Sequence, residues 1–373
     1  MKNEIAQALL FKVLQSSDGE TIDDNRKYFQ TMAKYKYDDY QQFAPGMRFI
    51  ERFALWLNQF ENGDRKSALD FIRKRLVFIS TEEINILVSS CFPDLIKKII
   101  VKKVSTTLNI PEYKVTRITE SKEYLALLRQ SLFCGLSDGA RTEIFRRSNT
   151  GLISHEQIYQ TYELSDARAE KMQEKLIEDL SKVLEKEPPE MERKFKCIFL
   201  LDDFSASGTS YLKYDSVKNK LKGKINALYQ NIFDPQNVSL QGIFNLDELE
   251  IHVVLYLCTN QAKCQIEGDF DKLNERYSNR PFLHCMHLIP ESFKLDQARD
   301  KEVIELCVNP SYYDKNFLED EHTGENIQLG FQGCALPLVL SHNCPNNSVP
   351  ILWAYDEAFF EGLFPRIPRH REI

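Results

Sequence analysis

The sequence predicts an α/β protein, with a parallel sheet and flanking helices in the later part of the chain. Three apolar runs support this prediction, over residues 196–201, 251–258 and 282–289. Continuous apolar runs of this length are typical of strands that are buried on both faces of a parallel sheet. Helix-like stretches over residues 212–230 and 261–277 separate the runs, and such alternation favours a parallel α/β arrangement.

The beginning of the chain has mainly helical patterns. Its apolar residues recur at helical spacing, and Ser80 and Glu83 stand in capping-box register ahead of an apolar helix. The run over residues 76–79 is rich in β-prone side chains. We therefore expect a mainly helical region over residues 1–118 and an α/β domain over residues 119–373.

Four further segments have patterns that specify an element. Residues 122–147 carry apolar side chains at helical spacing, which predicts one long helix or two helices broken at a glycine. A charged helix is expected over residues 165–186, and Pro188 and Pro189 follow it. Strands are expected over residues 336–340 and 349–353.

The composition is that of an ordinary globular protein. Hydrophobic residues make up 43% of the chain and charged residues 28%, which excludes a disordered or low-complexity chain. No apolar run approaches the roughly 20 residues that a membrane helix needs. The nine cysteines are odd in number and show no CxxC spacing. We expect a reduced, cytoplasmic protein with no membrane partner.

The net charge of −7 is unevenly distributed. Residues 48–117 hold 13 Lys and Arg against 8 Asp and Glu. Basic clusters occur at residues 73–75, 97–98 and 102–103, and such clusters can bind nucleic acid phosphates. A solvated helix face is the favoured interpretation, because the clusters alternate with apolar residues at helical spacing.

Residues 197–210 form the most informative motif: an apolar strand, two acidic residues and then a loop of small residues. Ligands of open α/β sheets bind at this carboxyl edge of the strands. Asp202 and Asp203 can accept hydrogen bonds from sugar hydroxyls or hold Mg²⁺. The loop can surround a phosphate with its backbone N–H groups, and a helix that starts directly after it would add a favourable dipole. The plainer interpretation is a strand followed by a turn and a helix cap.

The loop residues suit phosphate binding individually. Gly208 permits a close backbone approach, and hydroxyl donors come from Ser205, Ser207, Thr209 and Ser210. The motif resembles the ribose-phosphate signature of the phosphoribosyltransferase superfamily. The resemblance implies that Asp202 and Asp203 are the catalytic acids that contact the ribose, and that Ala206–Ser210 bind the 5-phosphate. Phe204 and Ser205 depart from the small aliphatic residues that are usual there.

A second motif precedes the first. Residues 135–143 read GLSDGARTE, and the superfamily has an early loop that binds pyrophosphate through backbone N–H groups and a basic residue. The resemblance implies this role for Ser137, Asp138, Gly139 and Arg141. An ordinary helix with an internal glycine and solvent-facing arginines is an equally good interpretation of the same residues.

A third motif follows over residues 330–353. The order of the three motifs, over about residues 76–356, resembles the PRTase-CE family of prokaryotic conflict systems. The resemblance implies a type I phosphoribosyltransferase-like sheet. It also implies an effector or regulator in antiphage systems, including retrons, beside a reverse transcriptase or a winged-helix protein.

Other sites have little support. A GxxxxGK[ST] P-loop, a GxGxxG fingerprint, a GxSxG elbow and an HExxH helix are all missing. Two Cys/His groups lack a standard zinc spacing, so we expect core thiols there; they are His284, Cys285 and His287, and Cys334, His342 and Cys344.

The leading functional hypothesis is a Mg²⁺-dependent phosphoribosyltransferase, or a related N-glycosidic exchange enzyme, that acts on phosphoribosyl pyrophosphate or a nucleotide-like ligand. Asp202 and Asp203 would be the metal ligands. The competing hypothesis is a non-catalytic nucleotide sensor, or an assembly subunit that docks on a protein or nucleic acid.

Overall fold

The computed structural model of the protein describes residues 19–159, 166–236, 238–312, 327–354 and 360–366, together with Ile5, Ala8, Leu9, Lys12 and Val13. The chain divides into two compact units. One unit combines Met1–Glu83 with Pro290–Ile373, and the other is Ile84–Ile289. This division differs from the boundary expected at residue 118, because an early strand pairs with a late one and brings both ends of the chain into one unit.

The described residues contain both helices and strands. The helices are, in chain order, α1 (Gly19–Tyr35), α2 (Phe49–Asn58), α3 (Arg65–Lys74), α4 (Thr81–Cys91), α5 (Lys97–Leu108), α6 (Val115–Thr119), α7 (Lys122–Arg129), α8 (Thr142–Ser148), α9 (Asp166–Leu184), α10 (Lys224–Phe233), α11 (Val238–Ile243), α12 (Asn260–Tyr277), α13 (Lys301–Val308) and α14 (Pro350–Trp353). The strands are β1 (Val77–Ile79), β2 (Ser131–Gly135), β3 (Ile158–Tyr159), β4 (Cys197–Ser205), β5 (Lys213–Asp215), β6 (Lys220–Lys222), β7 (Glu250–Thr259), β8 (Phe282–Ile289) and β9 (Leu338–Leu340). No helix among the described residues is long and apolar enough to cross a membrane.

An aromatic core holds the first unit together. Phe49 and Phe53, one turn apart on α2, are fully buried and stack with their ring centroids 5.3 Å apart. Trp56 follows on the same face of α2, and its indole N–H donates to the carbonyl oxygen of Ile351 at 2.8 Å. Because the buried indole finds this partner, α2 and the late helix α14 are fixed to each other.

Two local predictions in the first unit are confirmed and one is wrong. Strand β1 forms within the predicted run and pairs in parallel with β9. Ser80 and Glu83 form the capping box, with the Ser80 N–H 2.8 Å from Glu83 Oε2 and the Glu83 N–H 3.2 Å from Ser80 Oγ. The strand expected over residues 349–353 is instead helix α14, because Pro350 occupies its first turn, where a proline is preorganised for a helix.

The second unit contains the predicted parallel sheet, which confirms the fold class. Its five strands lie in the order β3-β2-β4-β7-β8, and all neighbouring pairs are parallel. Helices α9, α10 and α12 contribute buried apolar side chains to one hydrophobic core together with the sheet. The apolar runs of β4 and β7 are almost completely buried, as expected for central strands of an α/β sheet.

Two predicted helices are wrong. The segment 122–147 contains helix α7, strand β2 and helix α8, because residues 131–135 are fully buried beside β4 and complete its backbone hydrogen bonds. The segment 212–230 begins with the antiparallel pair β5 and β6, and its helix starts only at Lys224. In both segments helical spacing is compatible with a strand over a few residues, and strand pairing decides.

The turn that precedes β9 requires glycine at position 330. Its φ of 79° and ψ of 164° lie in a region that only glycine adopts readily, and a Cβ there would lie 2.2 Å from the Asn347 carbonyl oxygen. We expect Gly330→Ala to lower the free energy of unfolding by at least the ~1–3 kcal/mol of such backbone strain. Urea denaturation measures this.

Gly333→Ala is the matched control. Gly333 also has a positive φ, of 61°, but a Cβ there meets nothing within 4 Å. Gly333→Ala should lower the free energy of unfolding by less than Gly330→Ala does. Equal decreases for the two variants would show that the collision at Asn347 contributes nothing.

Candidate functional site

The site lies where the strand order of the sheet reverses. From β2 the chain moves outward to β3 and then returns to β4 on the other side of β2. A ligand crevice forms outside the carboxyl ends of two such strands, since their following loops diverge. Strand β4 is longer than its apolar run and includes Asp202 and Asp203. The two acids therefore stand in the sheet itself, opposite the loop that follows β2.

Asp202 accepts hydrogen bonds at both carboxylate oxygens. Its Oδ1 accepts from the hydroxyl of Ser137 and from the backbone N–H of Asp203, the latter at 3.1 Å. Its Oδ2 lies 2.7 Å from the Tyr211 hydroxyl and 3.0 Å from Lys224 Nζ. Asp202 is completely buried. Its carboxylate thus joins the loop after β2, the residues after β4 and the beginning of α10.

Burial raises the pKa of Asp202, and the neighbouring Asp203 carboxylate raises it further. Lys224, Ser137 and Tyr211 act in the opposite direction, because each donates to the ionised form. The pKa stays above its usual value. Burial next to the two acids also raises the pKa of Tyr211, so this tyrosine is a hydrogen-bond donor at neutral pH.

Asp203 lies against Gly139. A Cβ at position 139 would lie 2.4 Å from Asp203 Cγ, so only glycine fits there without moving the carboxylate. The Phe204 N–H donates to Asp203 Oδ1 at 2.8 Å. Asp203 is 8% exposed, whereas Asp202 is 0% exposed. The loops after β2 and β4 therefore close on each other over the two acids, and Asp203 is the more accessible of the pair.

The predicted phosphate loop rests on helix α12. Gly208 has a φ of 78°, and a Cβ there would lie 2.8 Å from the Ala262 carbonyl oxygen. The hydroxyl of Thr259, at the end of β7, donates to the Ala206 carbonyl oxygen at 2.5 Å. The Ser207 and Thr209 hydroxyls lie 3.1 Å apart. Positions 205–208 are buried, while Ser210 is exposed, so the open side of the loop is at its later residues.

The helix expected directly after this loop is absent from the described residues 205–222, and this part of the prediction is wrong. The hairpin of β5 and β6 comes first, and Gly223 then caps α10. The first helical N–H groups still point at the loop: the Lys224 N–H donates to the Ser210 carbonyl oxygen at 3.2 Å. The helix start thus stabilises the end of the loop.

The predicted pyrophosphate residues are only partly brought together. Ser137 and Gly139 meet the two acids, while Asp138 is exposed. Arg141 adopts a left-handed backbone conformation with a φ of 46°, and its Nη1 donates to Asn85 Oδ1 at 3.1 Å. Its guanidinium is therefore held by α4.

The two acids differ in their suitability for Mg²⁺. Magnesium takes oxygen ligands in a strict octahedral arrangement. The oxygens of Asp202 already accept four hydrogen bonds, one from the ammonium of Lys224. Asp203 lies against Gly139 and is 8% exposed, whereas Asp202 is fully buried. On exposure, Asp203 is therefore the carboxylate that a magnesium ion could reach more easily.

Three side chains of the site were missed by the sequence analysis. Tyr211 and Lys224 contact Asp202, and Thr259 contacts the phosphate loop. Thr259 could have been found, since it is a polar residue at the carboxyl end of the neighbouring predicted strand. Nothing in the spacing pointed to Lys224, because the intervening hairpin was expected to be helix.

Lys224→Met tests the electrostatics of the buried pair. Removing one member of a buried ion pair leaves the charge of the other uncompensated. We therefore expect Lys224→Met to lower the free energy of unfolding by about 2 kcal/mol or more at pH 8. The raised pKa of Asp202 should rise further without Lys224. Lowering the pH therefore protonates Asp202 and removes the penalty of an uncompensated buried charge. The decrease in the free energy of unfolding should then be smaller at pH 5 than at pH 8. Urea denaturation at both pH values measures it.

Lys222→Met is the control for this prediction. Lys222 lies 3.5 Å from Asp215 in a largely exposed pair, and exposed pairs contribute about 0–1 kcal/mol. A hydrogen bond from the Lys218 backbone N–H and the contact with Lys222 lower the pKa of Asp215, so Asp215 is ionised at both pH 5 and pH 8. The small decrease in the free energy of unfolding caused by Lys222→Met should therefore be the same at both pH values. A Lys224→Met loss that is independent of pH would contradict the role assigned to the carboxylate.

Comparison with known proteins identifies the family. A search of the curated proteins and a search of the solved structures each find no match. The family model of PRTase-CE matches residues 53–366, which include both loops at the carboxyl edge of the sheet. With most of its length covered by that family, the chain belongs to the PRTase-CE family and is phosphoribosyltransferase-like.

Proposed function

We propose that the protein binds a ribose 5-phosphate group, as in phosphoribosyl pyrophosphate or a nucleotide-like ligand, together with Mg²⁺. The observation that carries this proposal is the meeting of the loops after β2 and β4 over Asp202 and Asp203, at the reversal of strand order. Family membership supports the same location. The protein would act in the cytoplasm.

Each part of the site has a role in this proposal. The backbone N–H groups and hydroxyls of residues 205–210 bind the 5-phosphate. Asp203 accepts hydrogen bonds from the ribose hydroxyls and holds Mg²⁺ directly or through water. Asp202 holds Asp203 and Ser137 in position, since its own oxygens are occupied. The loop over residues 137–141 receives the pyrophosphate and must move off Asp203 to do so.

The first candidate activity is phosphoribosyl transfer, or a related N-glycosidic exchange. The ribose would become positively charged at its anomeric carbon as pyrophosphate leaves, and the Asp203 carboxylate would stabilise that charge. Bound Mg²⁺ would neutralise the charge of the departing pyrophosphate. Binding both ends of the substrate in one crevice would orient it for attack by a base or another nucleophile.

The second candidate is a nucleotide sensor without chemistry. The observation that favours it is the hydrogen bonding of Asp202, whose oxygens are already occupied in a fully buried position. In a sensor, ligand binding would move the loop after β2 and the change would pass to a partner. The two candidates share the binding site and differ only in whether a bond is broken.

Calorimetry with phosphoribosyl pyrophosphate and Mg²⁺ tests the binding site. Asp203→Asn keeps the size of the side chain but removes its charge, so we expect the affinity in Mg²⁺ to fall at least tenfold. Asp215→Asn is the control, because Asp215 lies in the β5–β6 hairpin and pairs with Lys222. This variant should bind phosphoribosyl pyrophosphate with the affinity of the wild type. If the wild-type chain releases no heat on titration at any Mg²⁺ concentration, the binding site is refuted.

Pyrophosphate release then separates the two candidates. The wild-type protein is incubated with the same ligand and a panel of bases and nucleotides. If the wild type releases pyrophosphate and Asp203→Asn does not, the transferase is supported. Binding without release across the panel supports the sensor.

We also propose a role as an effector or regulator in a prokaryotic antiphage system, including retrons, with a reverse transcriptase, a winged-helix protein or nucleic acid as partner. This part depends on family membership. The basic clusters give nucleic acid binding only limited support: Arg75 pairs with Asp300 and Lys103 with Glu250, while Lys98 and Lys102 are exposed.

An electrophoretic shift assay at two salt concentrations tests nucleic acid binding. Contacts of exposed lysines with phosphates release counterions, so the affinity for RNA or DNA should fall steeply as salt is raised. The double variant Lys98→Gln/Lys102→Gln should bind more weakly with a shallower salt dependence, and Lys74→Gln serves as the control because Lys74 pairs with Asp70. Absence of any shift at low salt would exclude a nucleic acid partner for these lysines.

A further inference from the structure

A second group of chemically reactive side chains lies at the opposite edge of the same sheet. Cys197 and Glu250 are the first residues of the neighbouring strands β4 and β7, and they are direct partners in the register. His252 follows two residues after Glu250, so its side chain lies on the same face. One ligand atom from each of the three residues lies within 4.8 Å of the other two.

The imidazole of His252 is held rigidly. It stacks on the ring of Phe199 at a centroid distance of 4.7 Å and on the ring of Phe282 at 5.1 Å. Its Nδ1 lies 3.1 Å from Nε2 of His284 on β8. One of these two nitrogens must donate to the other, so the contact specifies a tautomer for each ring.

The other nitrogen of His252 faces the carboxylate of Glu250. Nε2 is buried and makes no hydrogen bond, although it lies 3.3 Å from Oε2 of Glu250. If His284 donates to Nδ1 of His252, Nε2 of His252 carries the proton and faces Glu250 as a donor. If His252 instead donates through Nδ1 to His284, Nε2 presents a lone pair to the carboxylate. Two electron-rich groups at this distance repel each other unless a cation lies between them. The side chain of His252 is only 4% exposed, so water competes poorly for this position.

We propose that Cys197, Glu250 and His252 bind a zinc ion at the amino edge of the sheet. Zinc takes sulfur, nitrogen and oxygen ligands at about 2.0–2.3 Å in a tetrahedron, which places the ligand atoms about 3.3–3.8 Å apart. The three side chains approach this spacing already. His284 then orients the imidazole from the second coordination shell by accepting its Nδ1–H, which is the usual arrangement for a histidine ligand.

The charges of the group are compatible with a divalent ion. A thiolate and a carboxylate together neutralise Zn²⁺. Burial keeps the pKa of Cys197 near 11, so binding must release the thiol proton to solvent. Lys103 Nζ lies 2.9 Å from Oε1 of Glu250, which leaves Oε2 for the metal. Lys103 is partly exposed and can turn toward solvent.

The zinc site and the proposed ribose-phosphate site are separate. Cys197 and Asp202 lie five residues apart on β4, which corresponds to about 16 Å along an extended strand. A zinc ion at Cys197 would therefore join β4 to β7 without contacting the sugar ligand. Its existence does not depend on the proposed function.

Cobalt and zinc titrations of the full-length protein test this inference. After removal of metal with a chelator, the wild-type chain should bind one Co²⁺ with a thiolate-to-cobalt charge-transfer absorption that Zn²⁺ abolishes. Cys197→Ala should lose that absorption and bind Zn²⁺ at least 100-fold more weakly. Cys134→Ala is the matched control, since Cys134 is an equally buried thiol on the neighbouring strand β2; it should behave as the wild type.

Further variants keep the test decisive if Cys197→Ala does not fold. Glu250→Gln alters a partly exposed side chain and should lower the Zn²⁺ affinity at least tenfold, and His284→Gln should lower it about 10–100-fold through the second shell. His287→Gln, at an exposed position of the same strand, should have no effect. A wild-type chain without the charge-transfer absorption overturns the proposal, and so does one in which NMR finds His252 Nε2 still protonated when Zn²⁺ is present. Calorimetry with phosphoribosyl pyrophosphate on zinc-free protein to which Mg²⁺ has been added keeps this outcome distinct from failure of the ligand site.

Discussion

The arrangement of the second unit depends on one buried carboxylate. Asp202 is fully excluded from solvent, and a charge in that position is costly unless donors surround it. Its donors come from the loop after β2, from the turn after β4 and from the first residue of α10. The donors lie 65, 9 and 22 residues from Asp202 in the sequence, so satisfying one side chain brings three segments together. The same contacts place Asp203 at the crevice, where a ligand can reach it.

The strand order explains why this carboxylate lies at a binding edge. Parallel strands place all their following loops on one side of the sheet, but only a reversal of order lets two of those loops separate and form a crevice. Here the reversal lies between β2 and β4. Gly139 and Gly208 then permit close approaches, one to Asp203 and the other to the backbone of α12. The proposed phosphate loop and the two acids are thereby placed within one loop pair.

The sequence predicted the parts of this unit that depend on local pattern. The apolar runs of β4 and β7 specified buried strands, and the acids after the first run specified the edge. The run of β8 specified a strand but not its burial, because β8 lies at the end of the strand order and is mostly half-buried or exposed. The sequence could not predict β2, since a five-residue buried strand between two helices has the same apolar spacing as a continuous helix. It could not predict the role of Lys224 either, because the β5–β6 hairpin that brings this lysine back to Asp202 depends on long-range packing.

The two edges of β4 place different ligand chemistries on one strand. The carboxyl edge offers oxygen atoms, backbone N–H groups and a lysine ammonium, which suit Mg²⁺ and phosphate. The amino edge offers sulfur and imidazole nitrogen, which suit a softer ion. The chain carries a net charge of −7, so a polyphosphate at the carboxyl edge requires local positive charge. Lys224 already neutralises Asp202, and bound Mg²⁺ at Asp203 would supply the remainder. The proposed metal dependence therefore rests on the charge of the site, whereas the identity of the base does not.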